Sequence, residues 1–395
     1  MKSVWLQTTI GSYCDVIAGQ SPDGKYYNIN GKGVPFYQGK KDFGEKFIES
    51  PSTWTTETTK IARKNDILMS VRAPVGPVNF ATDDICIGRG LAAIRSNGEL
   101  DVEFLYYQLQ YLQPVIAGKE GAVFASINKS EIAALPIVFG PLPEQHRIVA
   151  ILNEAFDGIT TAKANAEKNL QNARALFESH LQSVFTKRGE GWVEKRIGDV
   201  CDLLNGFAFK SGDVVAESNT QLVRMGNLYG NKLDLERNSV FYPSCFAENF
   251  ARYLLREGDL IMSLTGTTGK EDYGYVVRIP ECGHNLLMNQ RIAKFDSIKM
   301  DTVTADYLLY YLRSRVFLDV LYPTANGTRQ ANLSSVTIKS LPLPLCPISE
   351  QKKKASALDE LVFETQRLES IYQNKLEALD ELKQSLLHHA FSGQL

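Results

Sequence analysis

The chain has 395 residues, 44% of them hydrophobic and 22% charged, with 43 basic side chains against 45 acidic ones. That length accommodates two or three domains with real cores. A formal charge of −2 excludes a polycation of the histone kind, though not local basic grooves. No apolar run reaches bilayer-spanning length, and the N-terminal stretch shows no signal-type apolar region, so a cytoplasmic protein is expected. Six cysteines, at 14, 86, 201, 245, 282 and 346, form no CxxC pair and are expected to be buried thiols.

Taken in chain order, residues 1–142 mix short β-rich runs such as Ile67-Leu-Met-Ser-Val71 with Gly, Pro and Asn turns. One helical patch, Phe104-Leu-Tyr-Tyr-Gln-Leu109, precedes a proline-punctuated exit through Leu135-Pro136 and Pro141-Leu-Pro143-Glu-Gln145. A long helix is predicted over about 144–187, with Pro143 at its first position and Glu144 favoured by the helix dipole. A 3-4 spacing picks out Leu152, Phe156, Ile159, Leu170 and Phe177 as a seam. Lys187-Arg188-Gly189 supplies cations and a capping glycine at its end. Residues 192–347 repeat the style, with a strand at Tyr275-Val-Val-Arg-Ile279 and a helical patch at Tyr307-Leu-Leu-Tyr-Tyr-Leu312. They exit through Leu341-Pro342 and Pro347-Ile-Ser349-Glu-Gln351, with Ser349 as the expected N-cap of a second long helix, about 350–391. Its seam reads Leu358, Val362, Tyr372, Leu376, Leu379 and Leu386. Each helix would span about 65 Å at ~1.5 Å per residue, beyond the needs of one small domain.

These segments are two copies of one unit. Trp5, Ile10, Gly11, Cys14, Asp15 and Gly19 recur as Trp192, Ile197, Gly198, Cys201, Asp202 and Gly206, at an offset of 187. Asp66-Ile-Leu-Met-Ser70 recurs as Asp259-Leu-Ile-Met-Ser263 at offset 193. From Gly121/Gly327 to Phe185/Phe391 the offset holds at 206, matching Leu135/Leu341, Pro136/Pro342, Glu144/Glu350, Gln145/Gln351, Leu152/Leu358 and Leu176/Leu382. The second copy therefore gains 19 residues, all in its globular interior. A shared frame with unlike centres implies one job done on two different targets. The expected architecture is α+β: target-reading globular parts at 1–142 and 192–347, separated by helical regions at 143–191 and 348–395 that pair as an antiparallel coiled coil.

In this order and duplication, with Trp…Ile-Gly at the domain starts, Asp-Ile/Leu-Leu/Ile-Met-Ser inside and Leu-Pro…Glu-Gln at the exits, the chain resembles the specificity subunit of type I restriction–modification systems. The resemblance covers essentially the whole chain. It implies two target recognition domains that each read one half of a split, asymmetric double-stranded DNA site, on a helical spacer. It also implies partners: two methyltransferase (modification) subunits and restriction/translocase subunits, with S-adenosylmethionine, ATP and Mg bound there and no cofactor or metal in this chain.

DNA reading needs Arg, Lys, Asn or Gln on loops, with glycines where backbone approaches phosphate. In the first copy the candidates are Lys40 and Lys41 in Tyr37-Gln-Gly-Lys-Lys41, Arg72, and Arg89 in Ile87-Gly-Arg-Gly90. In the second they are Arg224, Thr267 and Lys270 in Thr265-Gly-Thr-Thr-Gly-Lys270, Asn289-Gln290-Arg291, and Arg329-Gln330. Arg89 and Arg291 hold nearly equivalent places. A lone loop arginine is otherwise a solvated charge, and Arg291 could pair with a carboxylate. Lys352-Lys-Lys354 lies in a first helical turn, where cations oppose the dipole, and reads as solvent-exposed unless it meets phosphate.

Catalytic constellations are missing from the sequence. There is no Asn/Asp-Pro-Pro-Tyr/Phe, no GxGxxG, no Walker A loop and no zinc-spaced histidine pair. Two competing readings are a divergent, self-contained DNA methyltransferase or nuclease, and a coiled-coil scaffold binding protein partners. The segments are nearly neutral, with 14 basic and 14 acidic groups in 1–142 and 17 of each in 192–347. Nonspecific DNA affinity should therefore be weak, and grip must come from clustered loop residues and partner subunits.

Overall fold

The computed structural model describes residues 5–117 and 126–395. The chain divides into two compact units, residues 1–167 with 373–395, and residues 168–372. The division falls inside both long helices, so each unit unites one globular part with parts of both.

In the first unit an antiparallel sheet runs Cys14–Ala18, Leu91–Ser96, Ile67–Ser70, Val78–Phe80. Every residue of Ile67–Ser70 is buried because both faces are covered. Ile67, Met69, Ala92 and Ile94 face a core shared with helix Val102–Ile116, whereas Leu68, Leu91 and Ala93 face Tyr37, Ile85 and Ile87. That period-two alternation, apolar on both faces, marks the middle layer of a stack. The outer layer is a five-stranded sheet in which Val34–Tyr37 runs parallel to Ile85–Ile87.

The second unit repeats this plan. Asp202–Asn205, Ile292–Asp296, Leu260–Ser263 and Val276–Arg278 form the middle sheet, and Thr220–Val223 runs parallel to Asn285–Met288 in the outer one. Leu260, Met262, Ala293 and Phe295 face the core shared with helix Ala305–Arg313, while Ile261 and Ile292 face Val223, Leu286 and Met288. The repeated Asp-Ile/Leu-Leu/Ile-Met-Ser run is thus the buried central strand. Its leading carboxylate closes the preceding turn, Asp66 accepting from the Arg63 amide at 2.7 Å and Asp259 from the Arg256 amide at 2.8 Å. Asp66 also takes a bidentate pair from Arg95, and Asp259 meets Lys294 at 3.6 Å.

The long helices span Leu142–Thr186 and Ile348–Phe391. Each starts earlier than its sequence suggests, because the first free carbonyl belongs to a proline. Pro141 accepts from Glu144 and Gln145, and Pro347 from Glu350 and Gln351. Ser349 therefore lies inside the first turn and is not the N-cap. At the far ends, Gly393 takes a left-handed φ of 75°, but Gly189 does not; after the first helix the left-handed residue is Gly191, at 79°. Within each unit the helices run antiparallel. Lys163 pairs with Asp380 in the first unit and Arg174 with Glu369 at 2.6 Å in the second. Of the seam residues, Leu152, Phe156, Ile159 and Leu358 are buried, and Leu170, Phe177, Val362, Tyr372, Leu376, Leu379 and Leu386 are half-buried. Partial burial is what a two-helix pair allows, since each helix keeps an outer face in water. The helix ends dock on the globular cores: Phe391 packs edge-on to Phe104 at 5.2 Å, and Phe185 against Tyr307 and Tyr311 at 5.2 and 5.3 Å. Lys354 lies 5.6 Å over the Trp192 ring, while Lys352 and Lys353 are exposed. All six cysteines are free thiols, but Cys245 is exposed and Cys282 half-buried, because both lie in loop regions of the larger second copy.

Candidate nucleic-acid interface

Two parallel strands that end side by side deliver their following loops to the same spot. In the first unit Val34–Tyr37 delivers Gln38 and Lys40, and its neighbour Ile85–Ile87 delivers Arg89. The loops are stitched together by backbone, Gly88 N–H donating to Tyr37 O at 2.8 Å and Gly90 N–H to Gln38 O at 3.1 Å. Arg72 joins them from the loop after the central strand, where the Ser70 hydroxyl donates to the Arg72 carbonyl at 3.1 Å. Lys40, Arg72 and Arg89 line a recess of about 230 Å³ together with Gln38 and Ser70, and no carboxylate lines it. Among the described residues neither guanidinium has a protein ion-pair or hydrogen-bond partner. Lys41 points elsewhere, to Ser52 at 3.4 Å and Asp42 at 3.9 Å.

The second unit builds the corresponding recess from the corresponding strands. Thr220–Val223 leads into Arg224, and Asn285–Met288 into Asn289, Gln290 and Arg291. Asn289 N–H donates to Val223 O at 3.1 Å, and Arg291 N–H to the Asn289 side chain at 3.1 Å. The recess measures about 410 Å³, and its cations are Arg224, Arg237 and Arg291. Again no carboxylate lines it, and the Arg291 side chain meets no carboxylate among the described residues. Arg237 and Asn238 are absent from the sequence-based candidates. They arrive because buried Asn227 pins their loop, donating to Asp234 O at 2.7 Å and Arg237 O at 2.9 Å. Asn238 O in turn accepts from the Arg224 guanidinium. No local signal marks this, since the contact spans a loop with neither repeat nor motif.

Both recesses depend on a glycine shared by the two copies. A Cβ on Gly19 would sit 2.2 Å from Gly88 O, and one on Gly206 would sit 2.1 Å from Asn289 O. Only glycine lets the chain pass that close to the arginine-bearing loops.

The remaining candidates do not line the second recess. Thr267 pairs with Gln330 across the short ladder of Thr265–Thr267 and Gln330–Asn332. The Thr267 side chain is committed to Asp272, its hydroxyl and amide each donating at 2.7 Å. Burial raises the Asp272 pKa, but those hydrogen bonds and nearby Lys270 outweigh it and hold the carboxyl below its ordinary value. Lys270 and Arg329 are exposed. Among the described residues no cluster of His, Cys, Asp or Glu could hold a metal ion, and no helix is long and apolar enough to cross a membrane.

A family model for the type I restriction modification DNA specificity domain matches residues 2–171 and 189–378. Similar proteins include one described as the type I restriction enzyme MjaX specificity subunit of Methanocaldococcus jannaschii, 41% identical over 174 residues. That alignment covers 43% of this chain and 40% of the relative, less than half of its length. The MjaVIII specificity subunit of the same organism is 22% identical over 415 residues, covering 99% of this chain and 93% of its own. Among solved structures, a chain from a type I R-M system aligns over 100% of both chains with a TM-score of 0.79 at 18% identity. The HsdS subunit from Thermoanaerobacter tengcongensis aligns over 99% of this chain and 97% of its own, at 0.59 and 18%. At those identities the structural matches speak for the fold.

Proposed function

The chain belongs to the type I restriction modification DNA specificity family, and on that premise we propose that it reads a bipartite, asymmetric double-stranded DNA site for a type I restriction–modification complex. The observation that carries the reading is the pair of carboxylate-free arginine recesses at the same place in a duplicated fold. Clustered guanidinium groups with no carboxylate among the lining residues suit phosphate and guanine edges. The recesses differ in lining: lysine, serine and a glutamine accompany two arginines in one, and three asparagines and a glutamine accompany three in the other. Unequal donor sets read unequal half-sites.

In this reading residues 1–142 and 192–347 are the recognition domains, and 143–191 and 348–395 are the spacer. The chain is non-catalytic and cytoplasmic. It recruits two methyltransferase subunits and the restriction subunits, which bind S-adenosylmethionine, ATP and Mg. Methylome sequencing of a host with and without this chain tests the proposal. A bipartite methylated motif that vanishes on deletion is expected, and exchange of residues 1–142 for another recognition domain should change one half of it only. An unchanged methylome overturns the reading.

A further inference from the structure

Paired through its backbone with the loop that lines the second recess stands an aromatic residue that the first copy lacks at the equivalent position. Phe207 follows Gly206, and its equivalent in the first copy, at the offset of 187, is Gln20. Their backbones are held alike, Gln20 N–H donating to Ile87 O and Phe207 N–H to Met288 O, each at 2.9 Å. Phe207 O also accepts from Gln290 N–H at 2.9 Å, which ties it to the loop lining the recess.

The ring is 37% exposed yet does not hang loose. Phe209 and Phe250 lie behind it at 5.1 Å and Tyr253 at 5.3 Å. Phe209 in turn rests on Tyr242 and Phe246. Single exposed apolar residues are ordinary on protein surfaces. This one is held by backbone at a glycine-restricted position, braced by three rings and bordered by Asn289 and Gln290. A rigid, part-exposed π-face whose backbone is tied to the loop that carries Arg291 is the chemistry that takes a nucleobase.

Resting on the DNA reading above, we propose that Phe207 is a specificity-determining residue that stacks on one nucleobase of the half-site read by residues 192–347. The first half-site, with Gln20 in this place, is read by polar contact instead.

The test uses the assembled complex of the full chain with its methyltransferase subunits, and a duplex carrying the motif found by methylome sequencing. Phe207→Trp should bind within about twofold of the unmutated complex. Phe207→Leu, which keeps the apolar support for the rings behind, should bind about tenfold or more weakly. An abasic substitution, walked along the second half-site, should reveal one position whose penalty disappears in the Phe207→Leu complex. Equal affinity for the Leu and Trp variants, or additive penalties at every abasic position, overturns the proposal while leaving the DNA reading intact. Absence of site-specific binding by the unmutated complex overturns both.

Discussion

The side-chain oxygen of Gln145 accepts the Asp101 amide at 2.7 Å, and Gln351 accepts the Thr304 amide at 2.9 Å in the other copy. Asp101 and Thr304 are the N-caps of helices Val102–Ile116 and Ala305–Arg313. The same glutamines donate back to Gly140 O at 2.9 Å and Cys346 O at 2.8 Å. Each is a clasp holding the start of a long helix to the start of the short helix beneath it. The Glu-Gln signature of the domain exits is therefore structural, and it recurs because both copies close the same joint.

Replacing either glutamine by alanine strands buried backbone groups. Gln145→Ala and Gln351→Ala should each cost about 1–3 kcal/mol. Urea unfolding of the full chain measures this, and a midpoint shift equivalent to less than half a kcal/mol would show that water replaces the clasp.

Arginine truncation should separate DNA reading from folding. The Arg89 and Arg291 side chains make no ion pair among the described residues, so Arg89→Ala and Arg291→Ala should leave Tm almost unmoved. Loss of a guanine or phosphate contact costs about 1–3 kcal/mol of binding. Arg89→Ala should weaken reading of one half-site and Arg291→Ala the other. Arg237→Ala should resemble Arg291→Ala, because both line one recess. Binding assays on duplexes altered in one half at a time check this. A variant that weakens both halves equally would mark a nonspecific contact.

Burial raises the thiol pKa of Cys14 to about 12, with Asp15 adding to it, and that of Cys201 to about 12, with Asp202 adding to it. In the unfolded chain these thiols ionise near 9. A group with a raised folded pKa contributes stability that is intact below the unfolded value and is lost as pH rises toward the folded one. Stability should hold at pH 8 and fall between pH 9 and 12, with less of a fall in the Cys14→Ala/Cys201→Ala variant. In the native chain at pH 8, a thiol reagent should label exposed Cys245 and leave Cys14 and Cys201 untouched until denaturant is added.

Much of this was legible from residues because duplication offers an internal control. Positions such as Gly19/Gly206 and Gln145/Gln351 stand out twice, and the seam from Leu152 to Leu386 follows from helical spacing alone. The recess partners were legible only where backbone pairing is local in the repeat, as with Arg89 and Arg291. Arg237 was not, since a loop pinned by Asn227 brings it to Arg224, and side-chain-to-backbone bonds of that kind leave no periodic trace. Lys41 and Thr267 show the converse: loop composition suggested free donors, but Ser52, Asp42 and Asp272 occupy them.

Within the first long helix Gly158 is exposed, and a Cβ there meets nothing within 4 Å. Glycine in a helix interior costs about 0.5–1 kcal/mol against alanine. Gly158→Ala should therefore stabilise the first unit by about that amount in denaturant titration. No gain would indicate that the helix is already held entirely by its packed face.

Gly206 is the opposite case and the sharpest test of how the second recess is built. An alanine Cβ there would meet Asn289 O at 2.1 Å and Met288 O at 2.4 Å, backbone atoms that cannot swing aside. The strand and the arginine loop must separate, which breaks the hydrogen bonds that Gly206 and Phe207 donate to Ile292 and Met288. Overpacking of this sort costs about 1–3 kcal/mol. The displaced loop carries Asn289, Gln290 and Arg291, so reading of the second half-site should fail even where the chain still folds. Gly19→Ala should do the same to Arg89 and the first half-site, through Gly88 O at 2.2 Å. Circular dichroism on each variant, paired with binding to duplexes altered in one half, separates the outcomes. Normal reading of both half-sites by either variant would show that these loops are not what holds the DNA.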